Sequence, residues 1–207
     1  YDTGEFATVQ DLAKKQADWD GFKARKEASA KHNKLRGRGL TYYVEIAAGG
    51  PQEEYVEIRF AGGGLVELLI GTQSTGQGHE TAYAQILADE LDIPFEAIKV
   101  IQGDTDRIAL GNGTGGSRSL QIGGGAVIKG AETTIEEARV IAAHLLDADA
   151  SELDYGEGNF QVRGTNRGIS MMDLGESASD PQNLSQALQE KYPDGFNVHA
   201  KYEGQHP

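Results

Sequence analysis

With 207 residues, the chain is long enough to bury a sizeable core, either as one large domain or as two small lobes. Its formal net charge of −13, from 32 acidic and 19 basic residues, argues against a nucleic-acid-binding surface, because such a surface needs a basic face. The lack of cysteine excludes disulfides, iron–sulfur ligation and thiol catalysis within the chain, and no apolar run is long enough to span a membrane. We therefore expect a soluble, cytoplasmic protein, and its first residue, Tyr1 rather than Met, suggests a fragment of a longer one.

The first predicted element is a polar helical stretch over residues 6–34. The segment that ends at Arg38 contains nine Lys or Arg side chains, which suggests a helical arm packed on a larger body. We accordingly predict an N-terminal helical arm at residues 1–37 and an α+β domain at residues 38–207.

Short apolar and β-branched runs alternate with helical patterns along the rest of the chain. The predicted strands cover residues 39–47, 55–60, 65–70, 97–101, 153–155, 160–163, 169–171 and 197–202. The predicted helices cover residues 79–91 and 119–146, with a weaker helical or irregular segment at 173–191. Core candidates on the long helix are Ile122, Ala126, Val127, Ile135, Val140 and Ile141. The glycines of residues 61–64 suit a hairpin, and the whole pattern predicts an α+β fold with helices packed on a mixed β-sheet.

Two glycine-rich loops carry the functional signal. They lie at residues 71–81 and 111–119, and each follows an apolar run and opens into a helical pattern. The glycines in them leave backbone N–H groups bare at a helix N-terminus, where an anionic ligand is favoured. Two such loops predict one large, polar, phosphate-bearing ligand.

Side chains in the two loops add specific donors. Gln77 offers the donors and acceptor needed to bind the edge of an amide-like heterocycle. Arg118 lies between the hydroxyls of Ser117 and Ser119, and in so acidic a chain we expect it to contact the anion of a ligand.

Plainer interpretations compete with these. A glycine-rich turn between a strand and a helix more often serves only to connect the two elements, although the presence of two such loops weakens that explanation. The spacing of Gly111, Gly113 and Gly116 matches a dinucleotide-binding fingerprint only formally, because it does not directly follow its strand, and we reject it. His79 and Glu80 could serve as acid and base or as metal ligands, but a capping or structural role is favoured.

Three motifs occur in a fixed order, at residues 75–86, 102–106 and 113–119. With residues 1–6 and 37–43, they resemble the molybdenum-binding large subunit of the xanthine dehydrogenase, aldehyde oxidase and aerobic carbon monoxide dehydrogenase family. The resemblance covers nearly the whole chain, and its details are more similar to the carbon monoxide dehydrogenase-like and bacterial aldehyde-type branch than to the animal xanthine enzymes.

The resemblance implies that the chain is one lobe of a domain that holds molybdopterin, in bacteria commonly as the cytosine dinucleotide. FAD and [2Fe–2S] clusters would be carried by partner subunits or domains. A small substrate, such as an aldehyde or an N-heterocycle, would be hydroxylated with oxygen from water.

Carried over by position, Gly76, Gln77 and Gly78 would contact the pterin, and residues 114–119 would contact the pterin and phosphate. The full set of cofactor-binding residues that the resemblance implies is Gly76, Gln77, Gly78, His79, Thr81, Thr114, Gly115, Gly116, Ser117, Arg118 and Ser119.

The family's catalytic glutamate and its other metal-proximal loops have no match in this chain, so we assign no catalytic residue and no metal ligand. The fragment alone is therefore predicted to be inactive and to purify without molybdenum. Two alternatives stay open: a phosphate- or nucleotide-binding module without redox chemistry, and a structural lobe used in subunit assembly.

Overall fold

The computed structural model describes residues 4–43 and 46–204. Contacts divide the chain into two compact units, Tyr1–Val44 and Glu45–Pro207. None of the helices in the described residues is long and apolar enough to cross a bilayer.

The first unit contains two helices, α1 (Phe6–Gln16) and α2 (Phe22–Ala30). The polar helical stretch predicted over residues 6–34 therefore consists of two helices, and α2 ends at Ala30. Asp18 adopts a positive φ of 45°, and its carboxylate accepts a hydrogen bond from the Gly21 N–H at 3.2 Å, so a turn ends α1. Within this unit as described, neither helix has a buried residue.

The main sheet of the second unit has the strand order β3-β2-β1-β7, formed by β1 (Glu53–Phe60), β2 (Val66–Ile70), β3 (Ile98–Ile101) and β7 (Asn197–Glu203). Strand β1 is antiparallel to both β2 and β7, whereas β2 and β3 are parallel. The predicted hairpin after β1 is confirmed, since the Ala61 N–H donates to the Leu65 carbonyl at 2.9 Å and Gly62 and Gly63 adopt positive φ.

The predicted strand at residues 39–47 does not form in its described parts, residues 39–43 and 46–47. The N–H groups of Ala48 and Gly49, which come next, donate instead to the carbonyls of Ser117 and Gly116. Residues 48 and 49 therefore bind the second glycine-rich loop and not the sheet.

Helices α3 (His79–Leu91) and α4 (Gly124–Leu145) supply much of the core against the main sheet. Helix α3 has the predicted bounds, and it buries Tyr83 and Leu87. Val140 on α4 was predicted in the core but is 50% exposed, because it lies on the solvent side of the helix. A π-helical turn, Ser119–Gly123, precedes α4, so the predicted long helix does not begin as a regular α-helix.

A second, antiparallel sheet contains β4 (Leu153–Gly156), β5 (Asn159–Val162) and β6 (Gly168–Ser170) in that order. Helices α5 (Met171–Ala178) and α6 (Gln186–Lys191) follow in place of the weakly predicted segment. Ser170 caps α5 by accepting the Asp173 N–H at 3.0 Å, so Met171 starts a helix and does not end a strand. The predicted α+β fold, with a mixed sheet and packed helices, is confirmed.

Candidate functional site

Both glycine-rich loops leave the main sheet at the same edge, because β2 and β3 are neighbouring parallel strands. The first loop, residues 71–78, joins β2 to α3, and the second loop, residues 102–118, joins β3 to the π-helical turn. Their backbones touch where Gly71 meets Gly111, since a Cβ atom built on Gly71 would lie 2.2 Å from the Gly111 Cα. Only glycine fits at this contact.

Thr114 links the two loops by hydrogen bonds. Its hydroxyl donates to the Gln73 carbonyl at 2.7 Å and accepts from the Gln73 N–H at 3.1 Å. The Ser119 hydroxyl donates to the same Thr114 oxygen at 3.0 Å. Thr114 and Ser119 therefore hold the loops together, in addition to any contact with a ligand.

A buried hydroxyl network lies beneath the loops and centres on Tyr83 of α3. The Tyr83 hydroxyl donates to the Ser119 carbonyl at 2.7 Å and is 3.0 Å from the Thr72 hydroxyl, which in turn accepts from the Gln102 amide at 3.0 Å. Because the Tyr83 proton goes to Ser119, Thr72 is the donor in their mutual bond. Burial raises the pKa of Tyr83, and the hydrogen bond from Thr72 opposes that rise.

The N-terminus of α3 presents backbone donors without an acceptor in the part of the chain that the structure describes. Gly78 precedes the helix with a φ of +77°, and no side chain caps it. The backbone N–H groups of His79, Glu80 and Thr81 make no hydrogen bond among the described residues, and the first bonded amide is that of Ala82, to the Gly78 carbonyl. Such an uncapped helix start favours an anion.

Two side chains at this helix start, those of His79 and Gln77, have polar atoms without a hydrogen-bond partner among the described residues. The His79 ring is only 7% exposed, and its Nδ1 atom has no hydrogen-bond partner in the described part of the chain. The Gln77 Oε1 atom accepts the Thr75 N–H at 2.5 Å, so its exposed Nε2 group points its donors elsewhere and has no partner among described residues. A buried polar atom without a partner is unusual in a native protein, and this makes the helix start a candidate ligand site.

Near its glycines, the second loop has carbonyls that accept hydrogen bonds and three consecutive amides that have no partner in the described residues. The carbonyls of Gly116 and Ser117 accept from Gly49 and Ala48 at 2.7 Å and 3.2 Å. Within the described chain, the N–H groups of Gly115, Gly116 and Ser117 have no partner. Nothing lies within 4 Å of a Cβ atom built on Gly115, so the backbone there is open to approach.

Arg118 does not have the role expected from the sequence. It is 2% exposed and forms an ion pair with the fully buried Glu54, with 2.7 Å between Nη1 and Oε2. Its other donors reach the carbonyls of Pro51, Glu53 and Gly113 at 2.9, 2.5 and 2.6 Å. Four of the five guanidinium N–H donors thus have protein acceptors, and the side chain is almost fully buried, so this geometry favours a structural role over direct contact with a ligand phosphate.

Glu54 and Tyr83 are the residues that sequence reasoning missed. A signal for Glu54 was present, because it shares the alternating pattern of β1 with Val56 and Ile58 and therefore faces the core. A carboxylate at a core-facing position requires a buried partner.

In the described part of the chain, the remaining candidate residues are not grouped as metal ligands. Glu80 is exposed, whereas its neighbour His79 is buried, so the two do not act together. In the motif at residues 102–106, two aspartates could suggest a cation loop, but the Asp104 carboxylate accepts the Asp106 N–H at 3.0 Å, which is typical of a turn. In the described residues, no group of three or more His, Asp or Glu side chains could hold a metal ion.

Comparison with known proteins identifies the family. The sequence model of the molybdopterin cofactor-binding domain matches residues 12–206. The chain belongs to this family. This molybdopterin cofactor-binding domain is 36% identical to the carbon monoxide dehydrogenase large chain of Hydrogenophaga pseudoflava, over 79% of this chain and 22% of that one. It is 34% identical to the corresponding large chain of Afipia carboxidovorans, over 91% of this chain and 26% of that one.

A solved structure agrees with these relatives. The crystal structure of a Cu,Mo-CO dehydrogenase in its carbon monoxide reduced state superimposes with a TM-score of 0.66 and 31% identity, covering 98% of this domain and 27% of that chain. The resemblance to molybdenum-binding large subunits is thereby confirmed. The chain spans about a quarter of the length of the relatives it matches.

Proposed function

We propose that this chain holds molybdopterin, in its cytosine dinucleotide form, within a molybdenum hydroxylase whose FAD and [2Fe–2S] clusters are carried by partner subunits. The substrate class we propose is an aldehyde, an N-heterocycle or a similar small molecule, oxidised with oxygen from water. Two relatives are named carbon monoxide dehydrogenase large chains, and a third is named nicotine 6-hydroxylase large subunit.

The observation that carries this proposal is a set of donors at one edge of the sheet that have no acceptor among residues 4–43 and 46–204. They are the first three amides of α3, the amides of Gly115, Gly116 and Ser117, and the Nε2 group of Gln77. In a chain with a net charge of −13, an anionic ligand needs such local donors. The unpartnered Nδ1 atom of buried His79 fits a polar heterocycle beside them.

In this proposal, the two loops contact different parts of the cofactor. Residues 76–78, together with His79 and Thr81, bind the pterin side, and residues 114–117 and Ser119 bind the pterin and phosphates through backbone amides and hydroxyls. The bound cofactor supplies the redox chemistry, in which two electrons leave the substrate through the pterin. The residues of this chain bind and orient the cofactor and exclude water from its contacts, and we assign none of them a catalytic role, so the isolated fragment should be inactive.

The proposal is tested on the full-length protein with its partner subunits, by measuring molybdenum and the cytidine monophosphate released from the dinucleotide. We expect both in stoichiometric amounts. Nucleotide without molybdenum would support a module without redox chemistry, and neither would support a structural assembly lobe.

Gln77→Ala tests the site itself. Loss of a heterocycle hydrogen bond costs ~0.5–1.5 kcal/mol, so cofactor content should fall. Gln85→Ala is the matched control, because Gln85 is an exposed glutamine on α3 outside the first loop. Equal cofactor content in the two variants would remove Gln77 from the site.

A further inference from the structure

A short segment, residues 48–54, crosses the second loop, and we call it the strap. Arg118 binds the strap through the carbonyls of Pro51 and Glu53 and through the Glu54 carboxylate. The Asn112 side chain also donates to the Glu53 carbonyl, at 2.9 Å. The strap also acts as donor: the N–H groups of Ala48 and Gly49 donate to the carbonyls of Ser117 and Gly116 in the loop. The strap is therefore bonded to the second loop on both sides of the loop's glycine-rich residues 113–116: at Asn112 before them, and at Ser117 and Arg118 after them.

The Glu54 carboxylate reaches the first loop as well. Its Oε1 atom accepts the Tyr55 N–H at 3.0 Å and would lie 2.6 Å from a Cβ atom built on Gly71. The ion pair of Glu54 and Arg118 therefore lies directly under the place where the two loops meet. Two charges removed from water in this way are costly unless their hydrogen bonds are satisfied, and here Arg118 has four protein acceptors.

The direction of the loop carbonyls fixes the direction of its amides. In a planar trans peptide unit, the C=O and N–H bonds point to opposite sides. The carbonyls of Gly113, Gly115 and Gly116 are bound by Arg118 Nη1, the Arg118 N–H and the Gly49 N–H, respectively. The next amides in the chain, those of Thr114, Gly116 and Ser117, consequently point away from the protein, and they have no partner among the described residues.

We propose that the Glu54–Arg118 pair positions the second loop, holding its carbonyls inward and its amides outward before any ligand binds. Arg118 is then a positioning residue and contacts no ligand. The consequence for cofactor affinity rests on the proposed function, whereas the loop conformation does not.

Lysine is the informative substitution for Arg118. Arg118→Lys keeps the positive charge beside Glu54 but lacks the planar fork that reaches several acceptors at once. If only charge mattered, this variant would behave as wild type. If positioning matters, the strap should separate from the loop.

The experiment measures hydrogen exchange of the Ala48 and Gly49 amides in the cofactor-free full-length chain, and cofactor content in the assembled enzyme. In Arg118→Lys we expect about tenfold faster exchange, as for the loss of hydrogen bonds to a charged group, and a lower cofactor content. Arg163→Lys is the control, because Arg163 forms an ion pair with Asp154 in which both side chains are 63% exposed. It should change neither quantity.

A second variant separates the loss of loop positioning from a general failure of Arg118→Lys to fold. Glu54→Leu combined with Arg118→Met replaces the ion pair by apolar groups of similar volume, which proteins often tolerate. It should fold and show the same faster exchange of the strap amides. Wild-type exchange in either variant overturns the proposal. Faster exchange with full cofactor content supports the positioning role and contradicts the proposed binding of cofactor by the second loop.

Discussion

Removal of the Tyr83 hydroxyl should weaken the connection between the two loops. Tyr83→Phe keeps the buried ring and deletes only the oxygen that donates to the Ser119 carbonyl and accepts from the Thr72 hydroxyl. It leaves a buried acceptor and a buried donor without partners, and such groups cost ~1–3 kcal/mol each. The exposed side of the loops can relax and recover part of this cost. We therefore expect the free energy of unfolding to fall by about 2 kcal/mol.

Native-state hydrogen exchange of the amides of α4 in the full-length protein measures this loss. A change of about 2 kcal/mol corresponds to roughly 30-fold faster exchange, because each 1.4 kcal/mol is about a factor of ten. Cofactor content should fall in parallel, since Thr72 lies in the first loop and Ser119 directly follows the second.

Tyr155→Phe is the comparison for Tyr83→Phe. The Tyr155 hydroxyl donates to the Leu91 carbonyl at 2.6 Å, away from the loops, so its loss should destabilise the fold but leave cofactor content unchanged. If Tyr83→Phe leaves both exchange and cofactor content at wild-type values, the buried network does not tie the loops together and the reasoning is wrong.

Other predictions follow from single residues. Gly116→Ala should destabilise the protein by ~1–3 kcal/mol in denaturant unfolding, because Gly116 has a φ of +55° and its added Cβ would lie 2.3 Å from the Gly49 carbonyl oxygen. Gly115→Ala, with open space around its Cβ, should unfold as wild type does but retain less cofactor. Burial raises the pKa values of Tyr83, Tyr155 and Tyr192. Their contribution to stability is present below the ordinary tyrosine pKa of ~10 and is lost as pH rises above it, so alkaline unfolding should shift to higher pH in Tyr192→Phe.

The sequence was sufficient to predict features that depend on local chemistry. The hairpin at residues 61–64 follows from its glycines, and the bounds of α3 follow from Gly78 before it and from Pro94 after it. The meeting of the two loops follows from strand, loop and helix occurring twice, which places both loops at the ends of adjacent strands.

Features that depend on distant partners were not predictable in the same way. Arg118 lies in a glycine-rich loop and therefore suggested an anion site, but three of its four side-chain acceptors lie more than 60 residues away, on the strap. The exposure of Val140 and the turn at Asp18 depend on which helix face and which capping bonds are available after folding. Sequence periodicity alone does not contain that information.

The contact between Gly71 and Gly111 involves no side chain, so the separation of the two loops is set by the backbone. Gly71 directly follows β2, and the ladder between β2 and β3, with its strand spacing of about 4.8 Å, fixes the points at which the two loops leave the sheet. Substitutions elsewhere in the core can change how tightly a ligand is held. Because the contact between the loops is made by backbone alone, substitutions that keep both glycines should change the distance between the loops little, which would let one scaffold keep the proposed cofactor while the rest of its sequence diverges.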